Sequence, residues 1–347
     1  MTVAPSILKA FHELGDFLTE FCDDNQGNKD PWQQELQETL VKAEQQNSWF
    51  TQEHIHFALK YWGEVLKEDK ILSWLRAYPE PNNKTPKTVA IIMAGNIPLV
   101  GFHDFVCVIL TGNELLAKLS SNDSLLLPFL NRYLVAKAPE LKEKVTFTQG
   151  KLENFDAVIA TGSDNTGRYF EYYFNKYPNI IRKNRNSVAV LTGKESTETL
   201  GALGEDIFRY FGLGCRSVSK LMVPIGYDFD KFFTAVYPHK EIINNHKYAN
   251  NYDYNKAVFL MSDFKLLDNN FLLLKEDSQF ASPIGTLYYE HYETAATLNK
   301  TLASAKDKIQ CIVGSSGQAT IPFGSTQIPR LDDYADGMDT IAFLLQL

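Results

Sequence analysis

At 347 residues, with 44% hydrophobic and 22% charged side chains, the chain can bury a sizeable core and lies outside the regime of disordered polymers. A formal net charge of −8 excludes a general nucleic-acid binder, which needs clustered Lys and Arg against phosphate, so any anionic ligand must be held locally. The four cysteines, Cys22, Cys107, Cys215 and Cys311, have no paired spacing, so neither a disulfide framework nor a metal site is expected.

The start, Met1 to Ile7, lacks a basic stretch followed by an apolar one, and no apolar run approaches the roughly 20 residues that span a bilayer. No membrane span is expected, and reduced thiols point to a cytoplasmic protein. The first part reads as helical. Ile7, Leu8, Phe11, Leu14, Phe17, Leu18 and Phe21 recur at the spacing of one buried helix face, and similar periodicity runs from Trp32 to Leu40 and from His54 to Leu75. Tyr78-Pro-Glu-Pro-Asn-Asn-Lys-Thr-Pro86 reads as a linker.

From Thr88 onward strands alternate with helices. Thr88–Met93 is a β-branched apolar run, Gly95-Asn96 a turn, and Pro98–Leu110 an apolar helix. Leu115–Leu119, Val145–Thr148, Ala157–Ala160, Ile180–Arg182 and Val188–Leu191 are further strands, which predicts a largely parallel sheet. Parallel sheets bind ligands beyond the carboxyl ends of their strands, so the loops at 94–98, 118–123 and 161–165 are where chemistry is expected. A second α/β segment comes after it, with strands at Lys220–Pro224, Phe271–Leu274, Gly285–Tyr289 and Ile309–Val313. The resulting divisions are 1–86, a helical N-terminal segment packing on the domain that follows; 87–185, a first α/β domain; 186–320, a second α/β domain that carries Cys215; and 321–347, a C-terminal segment.

Four groups of residues could carry chemistry. Cys215, in Phe211-Gly-Leu-Gly-Cys-Arg-Ser, follows two glycines and precedes a helix or turn, where exposed N–H groups and Arg216 favour a nucleophilic thiolate. The bland reading, a small residue packed in a glycine turn, is the rule for a lone cysteine, and Cys22, Cys107 and Cys311 keep it. Asn96 ends the first parallel strand, where its amide could donate to a developing oxyanion or merely turn the chain before Pro98. Lys118, with Ser120 and Ser121, could hold the ribose hydroxyls or phosphate of an adenosine moiety, or be an ordinary surface lysine. Thr161-Gly-Ser-Asp-Asn-Thr-Gly-Arg168 opens a helix whose N–H groups suit a pyrophosphate beside Gly162 and Ser163, although its spacing departs from the usual dinucleotide fingerprint and Ser163 or Asp164 could simply cap the helix. The seven histidines show no metal-ligand spacing. Phe102, Phe105, Tyr169, Phe170, Tyr172 and Tyr173 could line an acyl tunnel or serve packing.

In this order the segments resemble the aldehyde dehydrogenase superfamily, and within it the LuxC-type fatty acyl thioester reductases, from about Lys87 to the end. The resemblance implies a Rossmann-type cofactor domain plus a second α/β catalytic domain. It implies an oxyanion role for Asn96, ribose contact for Lys118, a turn beside pyrophosphate and nicotinamide at Thr161-Gly162-Ser163 continued by Thr166-Gly-Arg168, and the nucleophilic thiol at Cys215. Phe280-Ala-Ser-Pro-Ile-Gly285 and Pro322-Phe-Gly324 resemble later landmarks, and Gln279 falls where hydrolytic relatives often have a ribose-binding glutamate. Those relatives also carry a glutamate as general base for water, whereas Ile181 stands near that position here, which favours reduction over hydrolysis. The expected reaction is reduction of an acyl-CoA or an acyl-carrier-protein thioester to an aldehyde. NADPH is the expected donor because Ser121 replaces the acidic residue of many NAD-specific relatives, with NADH as the alternative. A cysteine acyltransferase or thioesterase with a vestigial cofactor site and a non-catalytic acyl-pathway scaffold are the rival readings. A homodimer is expected from base rates.

Overall fold

The computed structural model describes residues 1–23, 30–80, 85–315 and 317–347; residues 81–84 of the sequence-predicted linker lie outside this set. In chain order the elements are α1 Pro5–Asp23, α2 Pro31–Gln46, α3 Gln52–Val65, α4 Glu68–Leu75, β1 Thr88–Ile92, α5 Phe102–Leu110, β2 Glu114–Lys118, α6 Leu126–Lys137, β3 Val145–Thr148, β4 Ala157–Thr161, α7 Asp164–Phe174 and β5 Asn179–Arg182. They continue as β6 Asn186–Val190, α8 Thr197–Phe208, β7 Val218–Pro224, α9 Phe229–Val236, α10 His246–Met261, β8 Leu266–Asp268, β9 Leu273–Glu276, β10 Thr286–Tyr292, α11 Ala295–Ser304, β11 Ile309–Val313 and α12 Thr340–Leu344. Two compact units result, one formed by Met1–Lys183 with Arg330–Leu347 and the other by Asn184–Pro329. Residues 321–347 are thus shared between both units.

The first unit is built on a five-stranded parallel sheet of order β3-β2-β1-β4-β5. The winding reverses between β1 and β4, so the loops after those strands flank the switch point at which such sheets bind ligands. Apolar spacing explains the helices that cover it. Ile7, Phe11, Leu14, Leu18 and Phe21 form the buried face of α1, and Asp30 with Gln33 closes a capping box that starts α2. Phe102 and Phe105, fully buried on α5, pack edge-on against Trp62 of α3 at 4.6 Å and Phe11 of α1 at 6.5 Å. One core therefore joins the N-terminal helices to the sheet.

The predicted helix Pro98–Leu110 begins only at Phe102. Leu99 has φ +58°, a left-handed conformation that breaks helical propagation and leaves 96–101 as a turn.

Arg182, at the end of β5 and 5% exposed, donates to both carboxylate oxygens of Asp104 on α5 at 2.6 and 2.9 Å and to Thr340 Oγ1 at 3.0 Å. Burial opposes its charge, but Asp104 more than offsets this and holds the guanidinium above its ordinary range. The returning segment is fixed again through two further side chains: Trp74 donates to the Tyr334 hydroxyl at 2.8 Å, and the Tyr78 hydroxyl donates to Asp339 at 2.8 Å.

The second unit holds a six-stranded sheet of order β11-β6-β7-β10-β9-β8, parallel except for the edge pair β8 and β9. The predicted strand Phe271–Leu274 is shifted to Leu273–Glu276, and no helix follows Cys215, which leads by a turn into β7. Among the described residues no helix is long and apolar enough to cross a membrane, and no group of three or more His, Cys, Asp or Glu could hold a metal ion.

Candidate active site

In the first unit, the loops after β1, β2 and β4 carry Asn96, Lys118 with Ser120 and Ser121, and Thr161 to Thr166. Asn96 is exposed, and Lys118 is half-buried at the carboxyl end of β2, where its carbonyl accepts the Met93 N–H at 3.1 Å. The two loops touch. A Cβ on Gly95 would stand 2.6 Å from Ser120 Cβ, so only glycine allows this approach. Gly95→Ala is therefore expected to displace Ser120; if this loop meets the ribose of a nicotinamide cofactor, as the sequence motifs lead one to expect, the substitution raises the cofactor KM roughly tenfold in steady-state kinetics, and unchanged affinity would oppose that role.

Ser163 is the N-cap of α7. Its Oγ accepts the Thr166 N–H at 3.3 Å and lies 2.9 Å from Thr166 Oγ1. Gly162 donates its N–H to the Arg182 carbonyl at 3.2 Å, so this amide is committed to β5 and is not a donor for pyrophosphate. The sequence pattern shows the glycine but not the strand that uses its amide. Of the six aromatics considered for an acyl tunnel, Phe102 and Phe105 are core residues, while Tyr169, Tyr172 and Tyr173 are 65%, 76% and 61% exposed, so they do not form one lining.

In the second unit, Cys215 is half-buried in the turn before β7, at the amino end of that strand. Before it, Tyr210, Phe211 and Gly212 have φ of 55°, 56° and 74° in succession. Left-handed aromatic residues cost roughly 1–2 kcal/mol each, and strain of this kind persists only where surrounding contacts impose it. Tyr210 and Phe211 are both buried, which supplies that constraint. The turn is held from three sides. Ser187 Oγ on β6 donates to the Cys215 carbonyl at 3.0 Å, Arg216 Nε donates to the Thr326 carbonyl at 2.6 Å, and Gln327 Nε2 donates to Ser217 Oγ at 3.3 Å. Asp206 on α8, fully buried, accepts the N–H groups of Gly324 at 2.6 Å and Thr326 at 2.9 Å. Burial pushes the Asp206 carboxyl up, against the pull of those N–H groups. Thr326 and Gln327, just after the Pro322-Phe-Gly324 landmark, thus brace the thiol turn, and Asp206 anchors that segment at Gly324 and Thr326.

Gln279 is exposed on the segment after β9. Its backbone is gripped on both sides: Lys220 Nζ donates to the Ser278 carbonyl at 2.9 Å, Ser219 Oγ to the Phe280 carbonyl at 2.7 Å, and the Gln279 N–H goes to Asp277 at 2.9 Å. Lys220 is 0% exposed, pairs with Glu290 and lies 4.6 Å from the Phe280 ring centroid. Sequence reasoning misses Lys220, Arg182 and Asp206. For Lys220 a signal exists, a charge inside the apolar run Val218 to Pro224.

A family model described as acyl-CoA reductase (LuxC) matches residues 18–230. It starts within α1, well before Lys87, where the resemblance legible in the motifs begins. Solved structures show the aldehyde dehydrogenase fold. Aldehyde dehydrogenase 21 from Physcomitrella patens, in complex with the reaction product succinate, superposes with TM-score 0.68 at 12% identity, covering 98% of this chain and 83% of that one. The aldehyde dehydrogenase KauB from Pseudomonas aeruginosa gives 0.62 at 14%, covering 92% and 73%. An indole-3-acetaldehyde dehydrogenase complexed with NAD+ gives 0.61 at 14%, covering 89% and 72%. No curated protein matches the chain.

Proposed function

This chain belongs to the acyl-CoA reductase (LuxC) family, and from that premise we propose that it reduces a fatty acyl thioester to an aldehyde through an acyl group carried on Cys215. Family membership supports an oxidoreductase acting on acyl or aldehyde groups; the carrier, the donor and the covalent intermediate are our reading. The observation that carries it is the Cys215 turn, a half-buried thiol on a backbone strained ahead of it and braced by Ser187, Arg216 and Gln327.

Cys215 Sγ, as thiolate, attacks the thioester carbonyl. A new C–S bond forms, and the carrier leaves as a thiolate that takes up a proton. Asn96 donates its amide hydrogen to the carbonyl oxygen as negative charge grows there. A reduced nicotinamide, when bound, supplies the hydride for the acyl carbon. Cys215 then departs as thiolate while the C–S bond breaks and the aldehyde carbonyl forms. With Ile181 where a hydrolytic relative carries its base, water receives no help in competing for the acyl group.

Lys118, Ser120 and Ser121 are proposed to hold the adenosine ribose, Thr161, Ser163 and Thr166 to line the pyrophosphate and nicotinamide, and Gln279 to meet the second ribose. The fit rests on hydroxyl-rich loops at the carboxyl ends of β2 and β4 and on the close approach at Gly95. Gly162 contributes space there rather than its amide. NADPH is the proposed donor, since Ser121 would not repel a 2′-phosphate; the substrate is acyl-CoA or an acyl-carrier protein.

Intact-mass spectrometry after incubation with fatty acyl-CoA alone, followed by peptide mapping, tests the scheme. An adduct on Cys215 that NADPH discharges as aldehyde is the expected result. An adduct lost at the same rate with and without NADPH would favour an acyltransferase or thioesterase, and no adduct at all would end the reductase reading. Asn96→Ala is expected to lower kcat by roughly 10²–10³-fold, about 2.7–4 kcal/mol, with little change in the KM for acyl-CoA.

A further inference from the structure

We propose that Asp123 is a positioning residue that clamps the Asn96 loop to the ribose loop and makes that clamp sensitive to protonation. Asp123 Oδ2 accepts the Leu99 N–H at 2.8 Å, three residues beyond Asn96, at the point where Leu99 adopts its left-handed φ of +58°. A left-handed leucine is held only by an outside constraint, and this hydrogen bond supplies one. Asp123 itself closes the turn of the ribose loop, its N–H donating to the Ser120 carbonyl at 3.1 Å. One residue thus joins the loop carrying Ser120 and Ser121 to the loop carrying Asn96.

The ribose loop is braced in turn from α2. Asn47 Nδ2 donates to the Asn122 carbonyl at 3.3 Å, and Gln46 Nε2 to Ser124 Oγ at 2.9 Å. These are neutral amides, and among the described residues no charged group acts on the Asp123 carboxylate from α2, from the β1–α5 turn or from its own loop. Its second oxygen, Oδ1, is shielded from solvent and has no hydrogen-bond partner among the described residues. Burial therefore pushes the carboxyl up to about 6, against the pull of the Leu99 N–H. A proton taken up there resides on Oδ1 and weakens a charge-assisted hydrogen bond to a neutral one. The group binds its proton more tightly folded than unfolded, so the stability linked to that proton is fully present below its ordinary value of 3.8 and is lost as the pH rises through about 6. Catalysis is expected to depend on the ionised form, which prevails above about 6.

The role of Asn96 in this proposal rests on the reductase reading, whereas the clamp does not. The full chain and its Asp123→Asn and Asp123→Ala variants should be compared by hydrogen exchange of the segment 96–102, corrected for intrinsic rate, and by the single-turnover rate of aldehyde formation across the range in which Asp123 titrates. For the parent protein we expect Leu99 protection and an acid limb near pH 6. Asp123→Asn, which keeps an oxygen acceptor, is expected to keep the protection and lose the acid limb. Asp123→Ala should lose roughly tenfold or more of both the protection and the rate, while the KM for acyl-CoA stays within about twofold. Unchanged protection in Asp123→Ala overturns the clamp, and an acid limb retained by Asp123→Asn overturns its sensitivity to protons. If the parent protein makes no aldehyde, the reductase reading fails, and the exchange data still decide the clamp.

Discussion

If the proposed mechanism holds, Cys215→Ser is expected to abolish aldehyde formation from acyl-CoA, with a loss on the order of 10³-fold or more, because on that reading the substitution removes the group that carries the acyl chain. A serine hydroxyl is almost wholly protonated at neutral pH and is a far weaker nucleophile than a thiolate. The isosteric change should leave the turn standing. Its braces from Ser187, Arg216 and Gln327 involve the backbone of Cys215 and the side chains of its neighbours, not the sulfur as acceptor. Stability is therefore expected to change by less than about 1 kcal/mol, and the affinity for NADPH by less than about twofold. The readouts are the acyl adduct by mass, the aldehyde yield and the calorimetric titration of cofactor. A serine variant that still released aldehyde at the parent rate would remove Cys215 from the chemistry.

The second large effect is on stability. Arg182→Met removes the partner of a carboxylate that is only 4% exposed, leaving Asp104 charged and uncompensated within the first unit. Breaking a buried pair from one side typically costs about 3–5 kcal/mol, which lowers a thermal midpoint by on the order of 10 °C for a unit of this size. Thr340 loses a donor at the same time. A double variant, Arg182→Met with Asp104→Leu, is expected to recover most of the loss, since removing both charges also removes the desolvation penalty. Differential scanning calorimetry of the parent, the two single variants and the double variant gives the coupling directly. If the single substitution cost less than about 1 kcal/mol, the ion pair would not be what fixes β5 to α5.

Much of the site is readable because its loops follow strands. A β-branched run that ends in glycine and asparagine, as at Thr88 to Asn96, announces both a parallel strand and the crevice beyond it. The N-cap at Ser163 is equally legible, because a serine three residues ahead of a threonine at a helix start is a local pattern. Tertiary partners are not legible. Lys275 lies inside an apolar strand and pairs with Asp277 two residues on, but the Phe264 and Tyr288 rings that approach its ammonium to 4.1 and 5.2 Å come from other segments that no local window contains. Arg182 reads as the polar end of a short strand, and its partners lie 78 and 158 residues away. The later start of α5 has the same origin: Pro98 and Leu99 are compatible with a helix until Asp123, remote in sequence, holds the Leu99 amide in a left-handed turn.

The chain leaves its first unit at Lys183 and comes back to it at Arg330. During synthesis, the side chains of Asp104 and Arg182 therefore exist long before Thr340, and Trp74 and Tyr78 wait for Tyr334 and Asp339, all of which are made only after the second unit. The unit encoded continuously, 184–329, has its whole sequence available first. The ribosome thus finishes 184–329 before it supplies 330–347 to the unit begun earlier, and the nascent N-terminal portion must stay competent to close until that segment arrives.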